Sequence, residues 1–326
     1  MTLLRTEDLV KYYTAGGGLF CRGSLKVHAV DGVTISIERG ETLGLVGESG
    51  CGKSTLGRLL ARLEDPDAGK IFFDGQEITD CTGEEQRLLR SKIQIIFQDS
   101  YSSLDPRQTV GGIIMEPLAN FDVGSRQERK EKVAKLLEIV GLEPTHISRY
   151  PHEFSGGQCQ RINIARALAL TPELIICDEP VSSLDVSIRA QILNLLKKLK
   201  KDFGLAYLFI SHDLAAVSYM ADRIAVMYLG KIVEVLDAGD FASRSCHPYS
   251  WALLAAVPVP EIRKRDFERK ILYGEPPNAV NPPDGCRFHP RCPRAGEICR
   301  ENEPELREVE DGHFVACHLA GRIDRI

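Results

Sequence analysis

Residues 47–55 read "GESGCGKST": glycines spaced along a short loop, then a lysine and two hydroxyls. That mixture suits the holding of phosphate. Glycine lets the backbone wrap closely around an oxyanion, and unpaired N–H groups at a helix start attract its charge. The order Gly47, Glu48, Ser49, Gly50, Cys51, Gly52, Lys53, Ser54, Thr55 fits G-x-x-x-x-G-K-[ST]. In that pattern the lysine reaches the β- and γ-phosphates and the next hydroxyl takes Mg²⁺. An apolar run, "TLGLVG" (42–47), precedes the loop, and an amphipathic helical pattern, "KSTLGRLLARL" (53–63), follows it. A strand before and a helix after are the setting the pattern requires. Cys51 sits within the loop, where the helix terminus and Lys53 should favour its thiolate. Bound nucleotide should shield it from alkylation.

Further groups extend this chemistry. "LIICDEP" (174–180) is an apolar run ending in acids; Asp178 can hold Mg²⁺, through water, and Glu179 can orient or activate an attacking water. Gln98 closes the run "IQIIF" (93–97), and His212 follows "AYLFIS" (206–211); the first can sense the metal and the water, the second the γ-phosphate. "FSGGQCQR" (154–161) sets Ser155, Gly157 and Gln158 at the start of another helix. Ser155 can cap it, which makes a second phosphate-binding terminus. One nucleotide does not need two such termini from one chain. A paired subunit offering its own terminus to the γ-phosphate explains both.

The elements that must carry these residues read as α/β with a largely parallel sheet, since apolar β-branched runs alternate with helical patterns. The ends of buried strands are where such sheets place ligands. From about 105 to 165 the pattern turns helical, as in "RQERKEKVAKLLEIVGL" (126–142), which predicts a helical subdomain inserted between strands. "VTISIE" (33–38) alternates as a strand, and "RIAVMYLGKIVEVL" (223–236) as two strands about a Leu-Gly turn. Prolines accumulate after Cys246 and mark a linker into a tail; the basic run "EIRKRDFERK" (261–270) reads as a solvated helix or linker.

The chain has 326 residues and a formal net charge of −5, which disfavours nucleic acid as a partner. "MTLLRTEDLV" places acids where a signal peptide needs an apolar run, and no stretch approaches the roughly 18 apolar residues of a membrane span. The expected location is cytoplasmic, with any membrane role exercised through partners. In that reducing setting ten cysteines are not expected to form a disulfide framework.

Taken in order, 47–55, Gln98, "SGGQ" (155–158), 174–179, "SSLD" (182–185) and His212 resemble the Walker A, Q-loop, signature, Walker B, D-loop and switch of ABC transporter ATP-binding subunits, over roughly residues 3–245. The resemblance implies a P-loop NTPase (RecA-like) core, an N-terminal antiparallel β part and the inserted helical subdomain. It implies ATP and Mg²⁺ as ligands, with Ser54, Gln98 and Asp178 at the metal. It also implies that Asp185 communicates between the two sites of a dimer, and that an aromatic of "KYY" stacks on adenine, Tyr13 being favoured over Tyr12. "RYPHEFSGGQ", "DEPVSSLDVSIRAQILNLL" and "HPYSWALLAAVP" narrow the likeness to the dipeptide and oligopeptide importers, which include nickel and haem importers. The insertion at 12–33 most resembles the second ATPase of the dipeptide pair. The expected partners are a homologous second ATPase in a heterodimer, two membrane permeases and an external solute-binding protein, with the chain on the cytoplasmic face of the inner membrane. Two departures are Ser100, where proline is usual, and Cys159, where a basic residue is usual and which should lie near the dimer face. ABC ATPases acting on DNA or ribosomes carry a long coiled coil or fused cassettes; this chain has one cassette and no heptad run.

The remainder, 246–326, is a C-terminal extension with cysteines at 286, 292, 299 and 317, spaced C-x5-C-x6-C-x17-C. Such local concentration points to a metal. Structural zinc prefers close C-x2–4-C pairs, which are absent, whereas thiolates on wider loops suit an iron–sulfur cluster. The family resemblance implies a [4Fe-4S] cluster on Cys286, Cys292, Cys299 and Cys317, with Zn²⁺ as the alternative and the tail histidines as bystanders. Being far in sequence from Glu179, the cluster is expected to brace the tail, against the partner ATPase, rather than take part in hydrolysis.

Overall fold

The computed structural model describes residues 1–15, 25–256 and 277–320. The basic run 261–270 and much of the proline-rich linker lie outside the described residues, as does Cys21. Two compact units interleave along the chain, one of Met1, Ile37–Glu41 and Asp80–Ile210, the other of Thr2–Ser36, Thr42–Thr79 and Ser211–Ile326.

In the first unit three parallel strands, Ile93–Ile96, Leu174–Asp178 and Ala206–Ile210, lie side by side. Leu174 to Cys177 and Ala206 to Ile210 are all fully buried, which is why these runs are apolar on both faces rather than alternating. Helices Val110–Asn120, Arg126–Ile139 and Gly156–Leu168 pack on one another within the predicted helical stretch. Ser125 opens the middle one with a reciprocal bond to Glu128, a capping box that fixes where the helix starts.

In the second unit, strands Thr2–Ala15, Leu25–Val33, Ala68–Phe73 and Gln76–Glu77 form an antiparallel sheet. The expected continuous strand 33–38 breaks between Val33 and Ser36. Thr6 causes this: its hydroxyl donates to the Val33 carbonyl (3.0 Å) and accepts from the Ile35 N–H (3.0 Å), replacing ladder bonds at the kink. The same unit pairs Thr42–Val46 in parallel with Arg223–Tyr228, which turns through Leu229 and Gly230 into Lys231–Asp237. The tail then continues this sheet. His313–Val315 pairs antiparallel with Lys231–Asp237, and Arg307–Glu310 pairs beyond it.

Glu234, completely buried, ties the tail to this sheet. Its carboxylate accepts from the N–H groups of Cys246 (2.5 Å) and His247 (3.2 Å) and bonds His313 Nε2 (2.8 Å). His247 is itself buried, and its Nδ1 accepts the Tyr249 N–H at 3.1 Å. Burial pushes the His247 pKa down to about 4, against the attraction of Glu234. The unfolded chain therefore takes up a proton at this ring before the folded one does. Stability from His247 should be complete above its ordinary value of 6.5 and fall as pH drops toward 4, by about 3 kcal/mol in all. Thermal unfolding midpoints measured from pH 7.5 to 4 should drop more steeply for the native chain than for His247→Asn.

Candidate nucleotide-binding site

The phosphate loop hangs between the fully buried strand Thr42–Val46 and the helix Lys53–Leu60. The helix is shorter than the 53–63 pattern suggests, because Arg62 turns left-handed (φ 52°). Gly52 has φ 108°, and a Cβ there would lie 1.9 Å from the Ala29 carbonyl; only glycine fits. Lys53 is buried and curls into the loop, its Nζ donating to the carbonyls of Gly47 (2.8 Å) and Glu48 (2.9 Å). Ser49 and Gly50 are exposed at the rim, and Ser54 and Thr55 are half-buried behind them. The arrangement presents backbone amides and one ammonium group to an anion.

The same unit holds His212, exposed just after Ser211, whose N–H bonds the Leu45 carbonyl (3.2 Å). Asp213 caps the following helix, Leu214–Met220, so this turn is fixed at both ends. Tyr13 is exposed and donates to Glu64. Tyr12 is engaged: its hydroxyl donates to Asp31 (2.7 Å) and its ring packs 4.2 Å from that of His28. Burial, then the Asp31 bond, push the Tyr12 pKa up to about 12.

The other unit brings together Gln98 and Glu179, the amide Nε2 donating to the carboxylate at 2.9 Å. Asp178 is buried at the strand end. Glu179 takes a left-handed φ of 48°, a strained state for a non-glycine residue that concentrates at functional positions. Its N–H bonds the Ile210 carbonyl (3.0 Å) and its own carbonyl accepts the Ser182 hydroxyl (3.1 Å). Ser155 caps its helix as expected, accepting the Gln158 N–H at 3.4 Å while Gln158 Oε1 accepts the Ser155 N–H at 3.0 Å. Gly157 is required for a reason the motif does not reveal. A Cβ on it would meet Ile188 Cγ2 at 2.4 Å, so the helix that starts after Asp185 packs directly on this glycine.

Cys159 is fully buried, its Sγ 3.7 Å from the Pro151 carbonyl, so its side chain packs in the core. One expectation changes. Cys51 is also buried, and burial raises its pKa over the opposing pull of Lys53. Desolvation of the thiolate outweighs the nearby charge.

The extension belongs to the unit that holds the phosphate loop, and it touches that loop. Tyr249 Oη accepts the Glu48 N–H at 2.8 Å, and Arg291 grips the Glu48 carboxylate with both terminal nitrogens, at 2.8 and 2.9 Å. Sequence reading missed Tyr249 and Arg291; the available signal was their place in "HPY" and "HPRCP", polar motifs too dense for a plain linker.

The Cys286 N–H bonds the Cys299 carbonyl at 2.8 Å. Burial raises the pKa of Cys286 to about 11 and also raises those of Cys292 and Cys317, and the nearby thiols add to each shift. Backbone N–H groups of Phe288, Arg294 and Leu319 are aimed at these three sulfurs. The histidines have other partners: His289 the Cys286 carbonyl (3.0 Å), His318 the Asn302 carbonyl (2.8 Å), and His313 the Glu234 carboxylate.

Residues 30–182 match the ABC transporter family, and 233–299 match the oligopeptide/dipeptide transporter C-terminal region. The oligopeptide transport ATP-binding protein AppF of Bacillus subtilis is 53% identical over 98% of this chain and 97% of its own length. The dipeptide transport ATP-binding protein DppF of Haemophilus influenzae is 50% identical over 97% of this chain and 96% of its own. The chain belongs to the ATP-binding proteins of the oligopeptide/dipeptide ABC transporters. Among solved structures, the dimeric ATP-binding cassette MJ0796 in a post-hydrolysis state with ADP and Pi aligns with a TM-score of 0.65 at 29% identity. That alignment covers 72% of this chain and 99% of that one. This ATPase thus carries a complete cassette fold and a further segment beyond it. Among the described residues, no helix is long and apolar enough to cross a membrane.

Because Cys51 is buried and its thiol pKa raised, iodoacetamide at pH 7 should label it more slowly than a short unstructured cysteine peptide, by roughly tenfold or more. Peptide mapping by mass spectrometry after timed labelling of the native chain checks this.

Proposed function

We propose that this chain is the ATP-hydrolysing subunit that powers an importer of dipeptides or oligopeptides. The observation that carries the reading is the glycine loop with Lys53 drawn into it, in a chain of the peptide-transporter family. When nucleotide arrives, Lys53 exchanges two carbonyls for phosphate oxygens, and the loop amides take the rest. Ser54, Asp178 and Gln98 would hold Mg²⁺, which supplies charge neutralisation on the phosphates. Glu179, positioned by Gln98, orients the attacking water, and His212 stabilises the γ-phosphate. Tyr13 stacks on adenine, since Tyr12 is already committed. Ser155, Gly157, Gln158 and Asp185 serve the nucleotide of a paired, homologous ATPase subunit. Closure and release of that pair drive two membrane permeases from the cytoplasmic face, with solute delivered by an external binding protein.

Cys286, Cys292, Cys299 and Cys317 would hold a [4Fe-4S] cluster. Four thiols in one segment, Cys299 and Cys317 buried and Cys286 and Cys292 half-buried, with backbone amides aimed at three of them, support this fit, because cluster sulfurs are tuned by such hydrogen bonds. Held by these four cysteines, such a cluster would tie the extension together and would supply a redox-active centre.

Glu179→Gln should keep MgATP binding and lose turnover by about a hundredfold or more, measured as phosphate release by the assembled transporter; near-native turnover would remove Glu179 from this role. Anaerobically purified chain should contain iron and acid-labile sulfide in equal amounts, both lost in Cys292→Ser. Stoichiometric zinc without iron would replace the cluster by a zinc site on the same ligands.

A further inference from the structure

We propose that the cysteine-rich extension governs ATP affinity at the phosphate loop of its own chain, with Arg291 as the positioning residue that carries the coupling. The inference rests on the reading of residues 47–55 as the phosphate loop. Glu48 is the second residue of that loop, and both of its ends are held by the extension. Its amide is committed to Tyr249 and its carboxylate to the two nitrogens of Arg291. The Arg291 side chain is 6% exposed and that of Glu48 26%. A planar fork on a carboxylate in so sheltered a place fixes orientation as well as position. It also neutralises a negative charge that would otherwise face incoming phosphates.

Arg291 can hold this position only if its own segment is held. It ends a short 3-10 turn, His289–Arg291, flanked by Cys286 and Cys292. The His289 N–H bonds the Cys286 carbonyl (2.9 Å), and the Cys292 N–H bonds the His289 carbonyl (3.3 Å). Within the segment, Phe288 is buried edge-on against Tyr228 (5.3 Å) and tilted against Tyr249 (5.4 Å). Arg287 donates to Asp31 and to the Leu229 carbonyl. The next residue, Gly230, donates its N–H to the carbonyl of Cys51 at 2.9 Å. The segment between two of the four thiols is therefore stapled to both sides of the phosphate loop. Whatever gathers those thiols sets the position of Arg291, and whatever releases them frees Glu48.

The test is the Kd for MgATP of the full-length chain prepared without oxygen, read by isothermal calorimetry. Arg291→Ala should weaken binding about tenfold, Arg291→Lys by less, and Glu48→Gln by less than Arg291→Ala, since it removes the grip without leaving an unpaired carboxylate facing the phosphates. The double variant should be no worse than Arg291→Ala alone, since both changes remove the same contact. Cys292→Ser should weaken binding to the same degree, with no further loss on adding Arg291→Ala. Arg307→Ala, an exposed change elsewhere in the extension, should leave the Kd unaltered. Lys53→Ala tests the loop itself: if it binds MgATP like the native chain, the phosphate-loop reading fails. If Lys53→Ala loses binding while Arg291→Ala, Arg291→Lys and Cys292→Ser keep the native Kd, the loop stands and the coupling is overturned. Full loss in Arg291→Ala with a native Kd in Cys292→Ser would also overturn control by the extension's cysteines.

Discussion

A phosphate cradle made of backbone has to be held open by something other than the phosphate, and in this chain Glu48 is where that is done. Glycine gives the loop its conformational freedom, but freedom costs entropy when the loop must take one shape. The amide and carboxylate of Glu48 are fixed by Tyr249 and Arg291, and Gly52 is pressed against the Ala29 carbonyl. Lys53 fills the loop from inside through the carbonyls of Gly47 and Glu48. The loop is thus preorganised from three directions, two of them from far along the chain.

That arrangement depends on the tail being part of the same folded unit. Glu234 supplies the anchor. A completely buried carboxylate is costly unless its oxygens are satisfied, and here two backbone N–H groups and His313 satisfy them. Since His313 sits on the strand that extends the sheet, the same residue closes the start of the extension and its end. Val315, Cys317 and Ala320 add a small core beside it. The neutral, buried His247 belongs to the same knot, which makes the knot sensitive to acid.

In the other unit the equivalent constraint is strain. Glu179 stands left-handed at the end of a fully buried strand, and the Ile210 carbonyl, the Ser182 hydroxyl and Gln98 all bear on it. A side chain aimed by an unfavourable backbone state needs such support, or it would relax. The close approach of Ile188 to Gly157 shows the same economy: a motif glycine serves packing between two helix starts.

The sequence alone marked most of the candidate site. The loop 47–55, the acids after 174–177, the cap at Ser155 and the buried strands are local patterns, and local patterns follow from backbone sterics and hydrophobic periodicity. It also marked the four-cysteine cluster by spacing. Only the tertiary structure decided the rest. Whether Cys51 and Cys159 are exposed depends on what packs over them, and both are buried. The break at Thr34 depends on the Thr6 hydroxyl, nearly thirty residues away. The grip of Arg291 on Glu48 joins positions 243 residues apart. No window along the chain contains both charges, so only the folded sheet brings them into reach.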